Sequence, residues 1–176
     1  MILAVDVQYD NCNGAVAGLA FKNWADAKPD NIYLSKIENA ADYIPGQFYK
    51  RELPCILKLL SEHHLQPACI VVDGYVFLDG SAKPGLGKHL YDALHGNVKV
   101  IGVAKKPFAG ISEAYAIYRG RSNKPLYITC AGEALSAAKL SILSMHGMDR
   151  MPTLLRKVDQ LCRLNVLTYA ECMKKL

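Results

Sequence analysis

Two apolar runs of this chain close on an aspartate, and acids placed at the ends of buried strands are candidates for chemistry. Ala68-Cys69-Ile70-Val71-Val72-Asp73-Gly74-Tyr75 is short, continuous and rich in β-branched residues, as expected of a strand covered on both faces. Ile2 to Val7 has the same character and ends near Asp6. In open α/β sheets the carboxyl ends of strands open onto the crevice where ligands bind. A lone Asp-Gly is ordinarily a turn cap. Two or three acids at one sheet edge are different, because they repel one another unless a hard cation lies among them, and ligation by oxygen alone selects Mg2+ or Mn2+ over zinc. Glu52 is the third acid of the set. It stands just ahead of a helical pattern whose first position suits Pro54, and by that placement alone it reads as a charge at the positive end of the helix. Lys105 follows a further buried run, Asn97 to Ala104, and its ammonium is expected to enter the same crevice. Acids, a divalent cation and a lysine together suit hydrolysis of a phosphodiester: the cation activates water, and cation and lysine neutralise the charge that develops.

The elements that must position these groups can be read in order. Asn13-Gly14 is a hairpin signal between Ile2–Val7 and Ala15–Phe21, and a third strand is expected over Ile32–Ile37. A helix follows from Pro54 to His63-His64, whose imidazoles suit its negative pole and are expected to be solvated. The Asp73 strand, a helix from Lys88 to His95 and the strand before Lys105 make a right-handed βαβ unit. Strands over Ala114–Tyr118 and Leu126–Cys130 come next, then helices over Glu133–His146 and Pro152–Leu164. A last short helix is predicted from the capping box Thr168-Tyr169-Ala170-Glu171. The order β-β-β-α-β-α predicts an α/β fold with a ribonuclease H-like mixed sheet, its opening strands antiparallel and the rest including parallel pairs, flanked by helices. One domain over 1–176 is expected.

The net charge is +5, but its distribution says more. Between Lys83 and Lys124 the chain places Lys83, Lys88, Lys99, Lys105, Lys106, Arg119, Arg121 and Lys124 against Asp92 and Glu113, so a rim built from these loops carries a positive field suited to nucleic acid. The six cysteines form no C-x-x-C pair and no zinc spacing, which points to a reduced, cytoplasmic protein. The opening apolar run is too short for a secretion signal or a membrane span. A monomer is expected.

In their order along the chain, several segments resemble the endonuclease V family. They are Ala4-Val5-Asp6-Val7 with Tyr9, Tyr43-Ile44-Pro45-Gly46 leading to Arg51-Glu52, Val71-Val72-Asp73-Gly74-Tyr75, Ile101-Gly102-Val103-Ala104-Lys105, Ser122-Asn123-Lys124-Pro125-Leu126-Tyr127, and Pro152 through Asp159. The resemblance implies a Mg2+-dependent endonuclease that nicks DNA or RNA beside deaminated adenine. It implies that Asp6, Glu52, Asp73 and Asp159 hold metal, that Lys105 stabilises the phosphate, and that Tyr43, Ile44 and Pro45 form a wedge at the lesion. By its own position Asp159 is a single acid on an amphipathic helix, where a solvated role is the ordinary one.

The stretch Phe77 to Lys88 departs from the family, which usually carries His-Pro-Arg and a Gly-Leu-Ala run here. Asp79 adds a negative charge, while Gly85 and Gly87, with Lys88 following, are expected to offer donors to a phosphate or an extruded base. Lys88 and Lys124 complete the expected nucleic-acid contacts. The departure predicts slow metal-dependent nicking with a blunted preference for inosine; the alternative is a binding module that keeps the fold and no longer cuts. Gly85-Leu86-Gly87-Lys88-His89 also approaches a phosphate-binding P-loop, but Ala82 and His89 stand where Gly and Ser or Thr are required, which argues against a nucleoside triphosphatase.

Overall fold

The structure, a computed structural model, describes residues 1–10, 13–37 and 49–173, without the side chains of residues 10, 13 and 166–173. Its centre is a seven-stranded mixed sheet. In chain order the elements are β1 (Ile2–Asp10), β2 (Asn13–Phe21), β3 (Asn31–Ile37), α1 (Tyr49–Glu62), β4 (Cys69–Asp73), α2 (Leu86–Ala93), β5 (Lys99–Ala104), a 3-10 turn (Glu113–Tyr115), β6 (Ala116–Ile117), β7 (Leu126–Ala131), α3 (Leu135–Ser144) and α4 (Thr153–Met173). The strand order across the sheet is β3-β2-β1-β4-β5-β7-β6. β1, β4 and β5 run parallel in the middle, and antiparallel strands complete both sides. The expected ribonuclease H-like architecture is the one observed.

Strand alternation divides the core into two layers. Leu3, Val5, Ile70, Val72 and Val100 face one side with Ile56, Leu59 and Leu90 of α1 and α2. Ala4, Val71, Ile101, Val103 and Ile128 face the other with Ala138 and Ile142 of α3 and Leu154, Leu155, Val158 and Cys162 of α4. The same alternation decides where the acids go. Asp6 shares a face with Ile2 and Ala4, and Asp73 shares one with Cys69 and Val71, so both lie on the α4 side of the sheet.

Several local expectations are corrected. β1 does not stop near Asp6 but continues to Asp10, because the hairpin with β2 carries it past the end of its parallel partner. Asp6 is thus a mid-strand residue, placed where β4 gives out. α1 begins at Tyr49, which puts Glu52 inside its first turn and Pro54 within the helix. Ala114–Tyr118 is a 3-10 turn followed by a two-residue strand. α4 is one helix from Thr153 to Met173, so the backbone runs through the predicted cap at Thr168 without a break. His63 is not left to solvent: its Nε2 lies 3.3 Å from Ser35 Oγ and 3.1 Å from the Leu34 carbonyl, tying α1 to β3. Cys55, Cys69, Cys130 and Cys162 are free thiols, and among the described residues no helix is long and apolar enough to cross a membrane.

Candidate metal centre and nuclease site

The parallel register that sets Val5 beside Val72 places Asp6 and Asp73 next to each other, one residue further along. Asp159 reaches them from the second turn of α4. One carboxylate oxygen from each of Asp6, Asp73 and Asp159 lies within 4.8 Å of the others. Asp159 was the acid with the weakest individual signal; packing of Leu155, Val158 and Cys162 onto the sheet supplies its place. The Cys162 thiol reinforces the docking by donating to the carbonyls of Ala15 (2.8 Å) and Asp6 (3.2 Å). A narrow crevice above the trio is walled by Val5, Val72, Val103, Met151, Leu155 and Val158.

Three acids this close are electrostatically strained, and the strain falls on the most buried one. Asp6 is 8% exposed, and its Oδ2 is buried with no hydrogen-bond partner among the described residues. Burial, then the charges of Asp73 and Asp159, push its carboxyl from 3.8 up to about 7. Glu52 approaches from the α1 side and stands outside the trio. It shares the same field, since burial first and then Asp6 and Asp73 raise its carboxyl to about 8.

Two cations partly relieve the repulsion. Lys105 Nζ donates to Asp73 Oδ2 at 2.6 Å, so the residue after β5 points into the crevice as its position suggested. Burial opposes the ammonium, yet its hydrogen bond to Asp73 and the charges of Asp73, Asp159 and Asp6 outweigh it and raise its pKa. Arg163 grips Asp159 through Nε and Nη2, both at 3.0 Å, in a bidentate pair one helical turn away. Arg163 was missed in the sequence, although the Asp-x-x-x-Arg spacing on an amphipathic helix is the readable sign of such a pair.

The first turn of α1 has its own anchor. Tyr9 donates its hydroxyl to the Arg51 carbonyl at 2.7 Å, and the Arg51 guanidinium lies 3.9 Å from the Tyr9 ring centroid. This contact seats the residue preceding Glu52.

The remaining predicted contacts are placed differently. Tyr43, Ile44 and Pro45 lie outside the described residues. The Gly85 and Gly87 amides are spent within the chain, on the carbonyls of Val76 (2.8 Å) and Tyr75 (3.0 Å). A Cβ at Gly85 would meet the Tyr75 carbonyl oxygen at 2.5 Å, and one at Gly87 would meet Val76 Cγ2 at 2.6 Å. These glycines therefore allow two chain segments to touch, rather than presenting donors to a ligand. Lys88 pairs with Asp92 at 2.6 Å, and Lys124 is exposed. Asp79 Oδ1 accepts from the amides of Ser81, Ala82 and Lys83 at 2.9–3.1 Å, which holds the carboxyl below its ordinary range and ties its charge into the loop. Arg119, expected on the basic rim, is 5% exposed and turned inward.

With this geometry in view, comparison with known proteins is decisive. The profile of the family described as Endonuclease V matches residues 1–142. The chain belongs to the endonuclease V family. Endonuclease V of Streptomyces avermitilis is 30% identical over 188 residues, an alignment covering 92% of this chain and 79% of that protein. The crystal structure of a Streptomyces avermitilis endonuclease V superposes with a TM-score of 0.75 at 26% identity, covering 96% of this chain and 82% of that one. Ciona intestinalis endonuclease V, solved in complex with a 24mer DNA containing an inosine followed by a ribo-adenosine, shares the fold at a TM-score of 0.78 and 16% identity, over 96% of this chain and 86% of that one. Asp159 and α4 lie beyond the stretch that the endonuclease V profile matches.

Proposed function

We propose that this member of the endonuclease V family is a divalent-metal-dependent endonuclease that hydrolyses phosphodiester bonds in nucleic acid, with deaminated, inosine-containing sites among its substrates but only weakly preferred, and with Mg2+ as its cation and Mn2+ as a substitute. One observation carries the reading: carboxylates from residues 6, 73 and 159 converge within 4.8 Å of one another beside a lysine. The donor set fits a hard divalent cation. It is all oxygen, and Asp6 Oδ2 is buried with no hydrogen-bond partner among the described residues, an acceptor whose desolvation a bound cation would offset. Asp6, Asp73 and Asp159 would hold the cation, with Glu52 as the fourth acid from the α1 side. When bound, such a cation supplies Lewis acidity toward the phosphate and an activated water.

The residues of the chain divide the remaining tasks. Burial leaves the Asp6 carboxyl partly protonated near neutral pH, and a cation held beside it would favour the ionised form. Lys105 stays protonated and is held by Asp73 at the mouth of the crevice, where its ammonium can face the oxygens of the scissile phosphate. Val103, Met151, Leu155 and Val158 form an apolar wall that limits water around the acids. The Ciona intestinalis complex with inosine-containing DNA supports nucleic acid as the substrate class. The loop that begins at Phe77 lacks the expected His and Arg and spends its glycine amides internally, which supports weak discrimination between inosine and undamaged bases.

The test is single-turnover cleavage of matched DNA and RNA oligonucleotides, with and without one inosine, in Mg2+, Mn2+ or EDTA at a fixed salt concentration. Metal-dependent nicking lost in Asp73→Asn is expected, with an inosine preference of less than about tenfold. Binding without cleavage in every metal would overturn the enzymatic reading in favour of a binding module.

A further inference from the structure

Beyond the acids and Lys105, two arginines that contact neither the acids nor the crevice are tied into the backbone behind Lys105. Arg119 Nη1 donates to the carbonyls of Asp149 (2.9 Å) and Arg150 (3.3 Å), and its Nη2 to those of Met145 (2.5 Å) and Gly147 (3.3 Å). One buried guanidinium therefore shapes the whole connection between α3 and α4. That connection presents Arg150, whose Nη2 donates to the carbonyl of Lys105 and to that of Pro125. The place is informative. The ladder between β5 and β7 ends with Ala104 opposite Tyr127, so the Lys105 and Pro125 carbonyls lie just past its last rung, where no strand partner is left to take them. Three residues after Arg150 the chain enters α4, which carries Asp159. The loop that holds the Lys105 carbonyl thus leads into the helix that carries Asp159, whose own place is set by the packing of α4 on the sheet.

We infer that Arg150, supported by Arg119, is a positioning residue for the nuclease site: it fixes the backbone of Lys105 so that the ammonium is aimed at Asp73 and the scissile phosphate. The inference rests on the proposed role of Lys105 in that site. Arginine suits the task because its planar fork spans two carbonyls in fixed directions, whereas a lysine at this position offers a single flexible point of contact. Arg150 acts through Lys105, so its contribution disappears when the lysine is gone.

The test is a double-mutant cycle on single-turnover cleavage of an inosine-containing oligonucleotide in Mn2+, using Arg150→Gln, Lys105→Ala and the pair. Arg150→Gln is expected to slow cleavage by about 10- to 100-fold, as for a reacting group displaced by an ångström or less, and to cost less than about twofold when added to Lys105→Ala. Arg150→Lys, which keeps the charge and one donor, is expected to fall between wild type and Arg150→Gln, and it serves as the first arm of the cycle if Arg150→Gln does not fold. An equal loss in both backgrounds would assign Arg150 a purely structural role and overturn the inference, as would an unchanged rate in the arginine variants. Should Lys105→Ala itself cleave at the wild-type rate, the assignment of Lys105 fails first, an outcome separate from either of those.

Discussion

Asp6→Asn should make the cation-free protein more stable near neutral pH while removing its ability to bind a divalent cation, an unusual pairing that follows from burial. The Asp6 carboxyl ionises at about 7 in the fold, against 3.8 ordinarily. A raised carboxyl stabilises the fold fully below its unfolded value, and that contribution is lost as pH rises through the folded one: between about pH 4 and 7 the unfolded chain releases this proton while the folded chain keeps it. A carboxyl moved from 3.8 to about 7 loses roughly 4 kcal/mol of stability across that window. Asparagine does not ionise, so its advantage over Asp6 should open from nothing near pH 4 to about that size above pH 7. For a chain of this length 1 kcal/mol corresponds to about 2–4 °C, which makes the expected separation on the order of 10 °C. The assay is thermal unfolding followed by circular dichroism at half-unit pH intervals in EDTA, repeated with saturating Mn2+, which should raise wild type and leave Asp6→Asn unmoved. Parallel pH curves for the two proteins would refute the reasoning, because they would mean that Asp6 is ionised at no cost in the cation-free fold.

Lys105→Ala should lower single-turnover cleavage by about 100-fold or more, whereas Lys106→Ala, with an exposed side chain, should change it less than about threefold; the comparison is direct in one assay. Gly85→Ala should destabilise the fold by about 1–3 kcal/mol, read as a lower denaturant midpoint at an unchanged slope, since the added methyl meets the Tyr75 carbonyl at 2.5 Å. Arg163→Gln frees both Asp159 oxygens from their guanidinium partner. Titration calorimetry without nucleic acid should then give Mn2+ affinity several-fold tighter than wild type, by removal of a competing positive charge, and a weaker affinity would contradict that competition.

What the chain by itself determined is what depends on local pattern. The apolar runs before Asp6, Asp73 and Lys105 specified three buried strands, because a strand covered on both faces has to be apolar without interruption, and the helix between the last two made that pair parallel; the parallel pairing of β1 with β4 came from the fold. Asn13-Gly14 signalled a hairpin at the opening of the sheet, although both residues pair within the ladder, opposite Asp10 and Tyr9, instead of forming the turn. Tertiary structure decided the rest. Asp159 gains its place only when α4 docks, since by spacing alone its helix shows an amphipathic face and an ion pair with Arg163 but nothing that brings it to Asp6 and Asp73. Gly85 and Gly87 were read as donors because a glycine-rich loop ahead of a helix often serves that way; the fold spends both amides on carbonyls from residues 75 and 76, an approach that no local spacing encodes. Arg119 read as surface charge in the sequence, and Arg150 carried no signal there. Their inward contacts follow from carbonyls left over where the β5–β7 ladder stops and where the α3–α4 connection turns, and those acceptors exist only once the sheet and the helices have packed.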